Sequence, residues 1–121
     1  MTIPICSKDL LWIDPEKEIE RIGVLLKDYL RKTLKRRGLV IGLSGGIDSS
    51  VTAGIAAKTL GPERVLALLM PEHHSDTETL RLSTLVAEHF GIEAIHENIS
   101  GILEAVGFYR RYNDEIGRAH V

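Results

Sequence analysis

The sequence has little of what marks several large classes of protein. Its single cysteine, Cys6, cannot form an internal disulfide, which is typical of proteins from a reducing cytoplasm. No apolar run is long enough to cross a membrane, and the first residues do not follow a signal-peptide pattern. Lys and Arg number 15 against 17 Asp and Glu, so the basic surplus of nucleic-acid-binding proteins is also missing. We therefore expect a cytoplasmic protein that binds neither membranes nor nucleic acid.

What is present is the composition of one ordinary globular domain, with 44% hydrophobic and 26% charged residues in a chain of 121. Apolar runs predict strands at 39–43, 65–70 and 92–96, and helical spacing predicts helices before, between and after them. This alternation favours an α/β fold: a three-layer, Rossmann-like parallel sheet with helices on both faces. Three strands are few for this class, which indicates the first part of a larger, truncated domain.

Local signals predict where these elements begin and end. Asp14 is a candidate N-cap for the first helix, and Gly38 is expected to close that helix. The run 39–43 is apolar throughout and predicts a strand buried on both faces. Ser75 and Glu78 have the spacing of a capping box and predict the start of the third helix.

The two ends of the chain differ from its middle. Residues 1–13 form an N-terminal arm in this interpretation, and residues 14–115 form the domain portion. The segment 108–121 is polar and shows no clear period. Its last residues, 116–121, are similar to a translated sequencing adapter, and we treat them as a hypothetical non-native tail.

The segment 44–50 carries the chemistry. It reads Ser-Gly-Gly-Ile-Asp-Ser-Ser and lies between an apolar strand and a helical pattern, so backbone N–H groups and the helix dipole favour an anion there, most often phosphate. Gly45 and Gly46 permit unusual backbone angles and close approach, and the serine hydroxyls can donate to phosphate oxygens. Asp48 would repel phosphate unless a cation such as Mg²⁺ bridges them. The pattern is neither the Walker loop nor the dinucleotide fingerprint.

The run Ser44-Gly45-Gly46-Ile47-Asp48-Ser49 resembles the SGGxDS loop of the N-type ATP pyrophosphatases, whose domains are of the adenine nucleotide alpha hydrolase-like type. Within that superfamily the chain most resembles the NAD synthetases, over about residues 19–99. The flanks of the loop, the second strand ending in Met70-Pro71 and the preceding first helix all carry this resemblance.

The resemblance implies a set of site residues. The backbone near Met70 would lie close to adenine, and Asp48 would help to hold Mg²⁺. Some bacterial members have arginine where this chain has Leu69, so that ATP contact is missing here or comes from elsewhere. The residues implied to bind ATP are Gly42, Leu43, Ser44, Gly45, Gly46, Ile47, Asp48, Ser49 and Met70.

The implied reaction is the ATP-dependent amidation of nicotinic acid adenine dinucleotide to NAD, through an adenylate, with release of pyrophosphate and AMP. The nitrogen would come from ammonia or from a glutaminase partner. The complete enzyme would be a homodimer, and this chain alone would be inactive. Two alternatives stay open: another ATP pyrophosphatase, such as a GMP synthetase or a tRNA-modifying enzyme, and a non-catalytic ATP-binding module.

The remaining histidines, tyrosines and cysteine that could have a chemical role are better explained as ordinary surface residues. His73 and His74 lack a third ligand at metal-binding spacing, and we expect an exposed loop. The run Tyr109–Tyr112, with two arginines between two tyrosines, could stack on bases but fits a surface segment better. We expect His89 and His96 to be partly exposed at the ends of their elements, and Cys6 has no identifiable base partner.

Overall fold

The computed structural model describes residues 12–119, with side chains described for 12–113. Most of the expected arm, including Cys6, and the last two residues of the expected tail lie outside this range. None of the helices between residues 12 and 119 combines the length and apolar character needed to cross a bilayer. In chain order, the elements are α1 (Pro15–Asp28), a π-helical segment (Tyr29–Leu34), β1 (Leu39–Gly42), α2 (Ile47–Leu60), a 3-10 turn (Pro62–Arg64), β2 (Val65–Leu69), α3 (Thr77–Phe90), β3 (Glu93–His96), α4 (Ser100–Ala105) and α5 (Phe108–Ala119).

The three strands form one parallel sheet in the order β1-β2-β3, which confirms the predicted parallel α/β fold. Ile41, Ala67 and Ala94 lie side by side across it. Helices α2 and α3 pack on the face that carries these residues and enclose the core with it. Both connections, from β1 to β2 through α2 and from β2 to β3 through α3, step in the same direction across the sheet. Because such crossovers have the same hand, they place both helices on one side of the sheet.

The opposite face of the sheet is mostly apolar, with Glu93 as an exception, and it is open among the described residues, although we expected helices on both faces. Val40 is 62% exposed and Ile95 is 42% exposed on this face. The prediction that the first strand is buried on both faces is therefore wrong for the chain described here. An apolar run does show that neither face of a strand is polar, but what covers each face depends on the rest of the structure.

The first helix begins as predicted but ends earlier. The Asp14 carboxylate accepts a hydrogen bond from the Lys17 N–H at 3.3 Å, as an N-cap does. Beyond Asp28 the chain continues as a π-helical segment, and Lys35 reverses it in the left-handed region at φ 51°. The Arg36 N–H then closes the turn on the carbonyl of Leu30 at 3.0 Å. The expected closure at Gly38 is wrong, because a lysine adopts the conformation usually reserved for glycine.

The third helix has a different cap from the predicted capping box. The Asp76 carboxylate accepts from the Glu78 N–H at 3.0 Å, so Asp76 and not Ser75 is the N-cap. The Ser75 hydroxyl instead accepts from the Glu72 N–H at 2.9 Å, one turn earlier in the chain. Gly91 closes the helix at φ 66°, as the sequence predicted.

The segment after Gly107 is a helix, α5, although its polar sequence showed no clear period. Phe108 and Tyr112, four residues apart, place their rings 5.9 Å from each other on one side of it. In the sequence, Phe108, Tyr112 and Ile116 recur every four residues, and this spacing was the available signal for a helix. The many polar residues between them obscured it.

Candidate nucleotide-binding site

The glycine-rich segment lies at the carboxyl end of the sheet, between β1 and α2. The Leu43 N–H donates to the Leu68 carbonyl at 2.9 Å and continues the ladder beyond β1. Helix α2 begins at Ile47, two residues earlier than predicted, so Asp48 and Ser49 belong to its first turn. First-turn amides have no intrahelical acceptor, and with the helix dipole they favour an anion in front of the helix.

Two serines keep the loop in shape. The hydroxyls of Ser44 and Ser49 lie 3.1 Å apart, and the Ser49 hydroxyl also lies 3.2 Å from the Gly46 carbonyl, to which it donates. The amides of Ser44 and Gly46 donate to the Ser49 and Ser44 hydroxyls, each at 3.3 Å. These bonds are long, so exchanging one for a stronger bond to an anionic oxygen costs little.

The third serine has another role. The Ser50 hydroxyl donates to the Gly46 carbonyl at 2.7 Å, inside the first turn of α2. A bond from Ser50 to phosphate would require breaking this short bond, and the expectation that Ser50 donates to phosphate stays a prediction. Serine hydroxyls often return to a backbone carbonyl four residues earlier in a helix, and sequence spacing alone does not reveal which ones do so.

The two glycines of the loop are required for different reasons. Gly45 has φ +77°, and a Cβ there would lie 2.7 Å from the Cβ of Leu82 on α3. Gly46 has φ −74°, which any residue adopts, and its Cβ would meet only the Ser44 hydroxyl at 3.4 Å. The expectation of special backbone angles is thus confirmed for Gly45 and wrong for Gly46. At Gly46 the missing side chain leaves open space at the start of α2.

Met70 lies beside the loop, at the adjacent strand end. A Cβ on Gly42 would lie 3.3 Å from the Met70 Cε, which shows how closely the two strand ends approach. A cavity of about 190 Å³ opens here, and Ser44, Met70 and Ser75 are among the residues that line it. The strand order therefore brings the two separate segments of the predicted site, 42–49 and 70, to one edge of the sheet. This is where ligands bind in open α/β sheets.

A larger concavity lies elsewhere on the described part of the chain. It is a groove of about 870 Å³ beside α2 and α3, and its lining is mostly apolar, including Val51, Leu85 and Phe90. Its polar lining residues are Ser50, Lys58 and His89, and it does not include the loop residues 44–49. We therefore place the candidate site at the smaller cavity beside the loop, where amides and hydroxyls converge.

The residues at the loop fit a magnesium nucleotide. Asp48 is exposed in the first turn of α2. Among the described side chains, those of residues 12–113, there is no cluster of three His, Cys, Asp or Glu that could enclose a metal ion by itself. Mg²⁺ retains several waters and commonly takes one or two carboxylates together with substrate phosphates, so a single carboxylate beside an anion loop is a suitable donor set.

Beside the cavity, the turn that follows Pro71 contacts helix α5. The Glu72 carboxylate accepts from the His74 N–H at 3.0 Å and from the Tyr109 hydroxyl at 2.9 Å. These two bonds, the His74 amide first, hold the pKa of Glu72 below its ordinary value against the opposing effect of partial desolvation. The rings of His73 and His74 lie 5.0 and 5.4 Å from the ring of Tyr109.

This contact changes the interpretation of the His73-His74 pair and of the Tyr109–Tyr112 run, which the sequence analysis treated as separate surface segments. His73 and His74 lie in an exposed turn, as predicted, but their rings pack on the tyrosines of α5. Sequence reasoning missed the contact because Glu72 and Tyr109 are 37 positions apart in the sequence and no local pattern links them. His89 and His96 are exposed at the ends of α3 and β3.

Comparison with known proteins identifies the family to which this chain belongs. The family model described as NAD synthase matches residues 18–118, a span that contains the whole loop, Met70 and the contact with α5. The chain belongs to the NAD synthase family. This confirms the resemblance seen in the SGGxDS loop and its flanks.

Curated relatives agree with this assignment. The chain is 48% identical over 110 residues to the NH(3)-dependent NAD(+) synthetase of Rhizobium rhizogenes, covering 91% of this chain and 33% of that protein. It is 50% identical over 107 residues to the protein of that name from Rhizobium meliloti, covering 88% and 32%. The chain thus spans about a third of the length of the curated relatives it matches.

Solved structures of NAD synthase-like proteins share the fold. The NH3-dependent NAD synthetase of Campylobacter jejuni superposes with a TM-score of 0.71 at 30% identity, covering 78% of this chain and 40% of that one. A structure named NMN synthetase, from Francisella tularensis, superposes with a TM-score of 0.73 at 29% identity, covering 84% and 41%.

Proposed function

We propose that the full-length gene product is an ATP-dependent ligase that converts nicotinic acid adenine dinucleotide to NAD with ammonia. The observation that carries the proposal is the loop itself: an SGGxDS segment at the carboxyl end of β1, opening into α2 beside Met70, in a chain of the NAD synthase family. The names of the relatives support ammonia as the nitrogen source, although a structure named glutamine-dependent NAD+ synthetase is also similar.

In this proposal the segment 42–49 binds the pyrophosphate end of ATP. The first-turn amides of α2 face the phosphates, and Ser44 and Ser49 exchange a long internal bond for bonds to phosphate oxygens. Gly46 leaves the space through which phosphate approaches the helix. Met70, just after β2 and in the wall of the cavity beside the loop, borders the adenine in this proposal.

The carboxylate of the dinucleotide attacks the α-phosphorus of ATP, and the bond to the β-phosphate breaks. Ammonia then adds to the activated carbonyl, loses a proton to solvent and displaces AMP. The chain's part in the first step is electrostatic, because fixed N–H donors stabilise the charge that develops on the departing pyrophosphate. Asp48 would hold Mg²⁺, which when bound neutralises phosphate charge. No described residue needs to act as a general base.

A panel of acceptors tests this proposal. The full-length protein is incubated with ATP, Mg²⁺ and ammonium, and with nicotinic acid adenine dinucleotide, nicotinic acid mononucleotide or xanthosine monophosphate, and products are separated by chromatography. We expect NAD, AMP and pyrophosphate in equal amounts from the dinucleotide alone. Turnover of the mononucleotide alone would support the activity that the name of the Francisella structure suggests. ATP binding without turnover of any acceptor would favour the non-catalytic module.

The proposal includes a homodimer in the cytoplasm for the complete protein. The mass of the full-length protein in solution, measured by light scattering, tests the dimer. We expect twice the mass of one chain, and the mass of a single chain at micromolar concentration would contradict it.

A further inference from the structure

The turn at residues 72–75 forms part of the wall of the cavity of about 190 Å³ beside the glycine-rich loop, which Ser44 also lines. Pro71 and Ser75, on either side of its tip, both line this cavity. Two hydrogen bonds close the turn: the Ser75 N–H donates to the Glu72 carbonyl, and the Glu72 N–H donates to the Ser75 hydroxyl, both at 2.9 Å. The position of the turn therefore determines the position of this side of the cavity.

One residue of α5 holds the turn from outside. The Tyr109 hydroxyl donates to the Glu72 carboxylate at 2.9 Å and accepts from the His73 N–H at 3.3 Å. One phenol thus contacts both a side chain and a backbone amide of the same turn. A hydrogen bond to a carboxylate is stronger than a neutral one, so this link is the principal polar attachment between α5 and the site.

We propose that Tyr109 is a positioning residue for nucleotide binding. It acts through Glu72, fixing the 72–75 turn so that Pro71 and Ser75 wall the cavity beside the loop. This rests on the proposed function, because it takes that cavity as part of the nucleotide site. Tyr109 itself need not touch the nucleotide.

The position of Tyr109 separates this role from a purely structural one. The core lies between the sheet and helices α2 and α3, and Tyr109 is not part of it. Removing its hydroxyl therefore leaves the core intact and releases only the turn. The expected consequence is a weaker nucleotide complex, rather than an unfolded protein.

The test compares two tyrosines of the same helix. Tyr109→Phe keeps the ring that packs on the histidines and removes only the hydroxyl. Tyr112→Phe is the matched control, because no hydrogen bond to the Tyr112 hydroxyl is seen among the described side chains. Both variants are made in the full-length protein. The dissociation constant for ATP with Mg²⁺ is measured by calorimetry, and kcat and KM are measured for NAD formation.

We expect Tyr109→Phe to raise the Kd and KM for ATP about fivefold, with little change in kcat. Loss of one hydrogen bond to a charged group would be worth about tenfold or more at the bond itself, and only part of that free energy reaches the nucleotide through the turn. Tyr112→Phe should leave the Kd and KM unchanged. Glu72→Ala should weaken ATP binding at least as much as Tyr109→Phe, because it also removes the bond from the His74 N–H. The double variant should be no weaker than Glu72→Ala alone. An unchanged Kd in Tyr109→Phe, or fully additive effects, would overturn the proposal.

The readouts separate this inference from the proposed reaction. If the wild-type protein binds ATP but forms no NAD, the proposed NAD-forming reaction is wrong. The Kd values of the wild type and the Tyr109→Phe variant for ATP still decide whether Tyr109 is a positioning residue. If NAD forms normally and Tyr109→Phe binds ATP as the wild type does, the reaction stands and the positioning role is wrong. A wild-type protein that binds no ATP overturns both.

Discussion

Gly45 in the loop lies against Leu82 in helix α3, so closely that a Cβ on the glycine would stand 2.7 Å from the Cβ of the leucine. The Ser83 N–H nitrogen would be only 2.8 Å from the same Cβ. The candidate phosphate loop is therefore packed directly on a helix that is contributed by a later part of the chain. Loop shape and helix packing depend on each other at this point.

Gly45→Ala tests this dependence. The alanine would have to adopt φ +77° and displace α3, so we expect the free energy of unfolding to fall by about 2–4 kcal/mol. Urea unfolding of the full-length protein measures the change. A loss below about 0.5 kcal/mol would show that the loop and α3 are not in this contact.

At the neighbouring position, the variant Gly46→Ala should lower the affinity for ATP with little effect on the stability of the fold. Its backbone angles suit alanine, and the new methyl group would meet only the Ser44 hydroxyl, so we expect the unfolding free energy to change by less than about 1 kcal/mol. The methyl group would stand where we place the approaching phosphate, and we expect ATP affinity to fall at least about tenfold. Calorimetric titration with ATP measures it, and wild-type affinity would show that phosphate does not approach there.

The variant Asp48→Ala tests whether Asp48 holds the Mg²⁺ that accompanies ATP. The fold should survive, because one acidic residue in a first helical turn contributes only about 0.3–1 kcal/mol. We expect the Mg²⁺-dependent part of ATP affinity to disappear, so that titrations with and without Mg²⁺ coincide. Glu104→Ala, at an exposed carboxylate on α4, is the control and should retain the Mg²⁺ dependence. Full Mg²⁺ dependence in Asp48→Ala would mean that our assignment of the loop is wrong.

The lowered pKa of Glu72 predicts a dependence of stability on pH. The folded state favours the ionised carboxylate, chiefly through the His74 N–H, so Glu72 stabilises the protein above the ordinary glutamate pKa of about 4.3. That contribution is lost as the pH falls through the lowered folded pKa. We expect the wild type to melt at a higher temperature than Glu72→Gln at pH 7, and the difference to shrink as the pH falls from about 4.3 toward 3. A constant difference between these pH values would contradict the assignment.

The sequence was sufficient for the parts of the structure that local patterns determine. The apolar run from Leu39, the glycine-rich loop and the small-residue helix after it predicted β1, the turn and α2 almost in place. The same reasoning predicted β2, α3 and β3. The parallel sheet follows from their alternation, and it brings Met70 beside the loop.

What sequence reasoning missed depends on contacts between distant segments. Nothing near Ser75 indicates that its hydroxyl binds Glu72 instead of capping α3, and nothing near Tyr109 indicates that it contacts that same Glu72. The exposure of Val40 depends on which element, if any, covers the second face of the sheet. A pattern of residues specifies its own conformation better than it specifies its partners.

An isotope experiment tests the central claim most directly. The full-length protein is given ATP, Mg²⁺, ammonium and nicotinic acid adenine dinucleotide labelled with ¹⁸O in its nicotinate carboxylate, and the AMP is analysed by mass spectrometry. If the carboxylate attacks the α-phosphorus, one ¹⁸O atom remains on AMP when ammonia displaces it, and we predict one labelled oxygen in each AMP formed with NAD. Unlabelled AMP, or formation of ADP and phosphate in its place, would contradict the account.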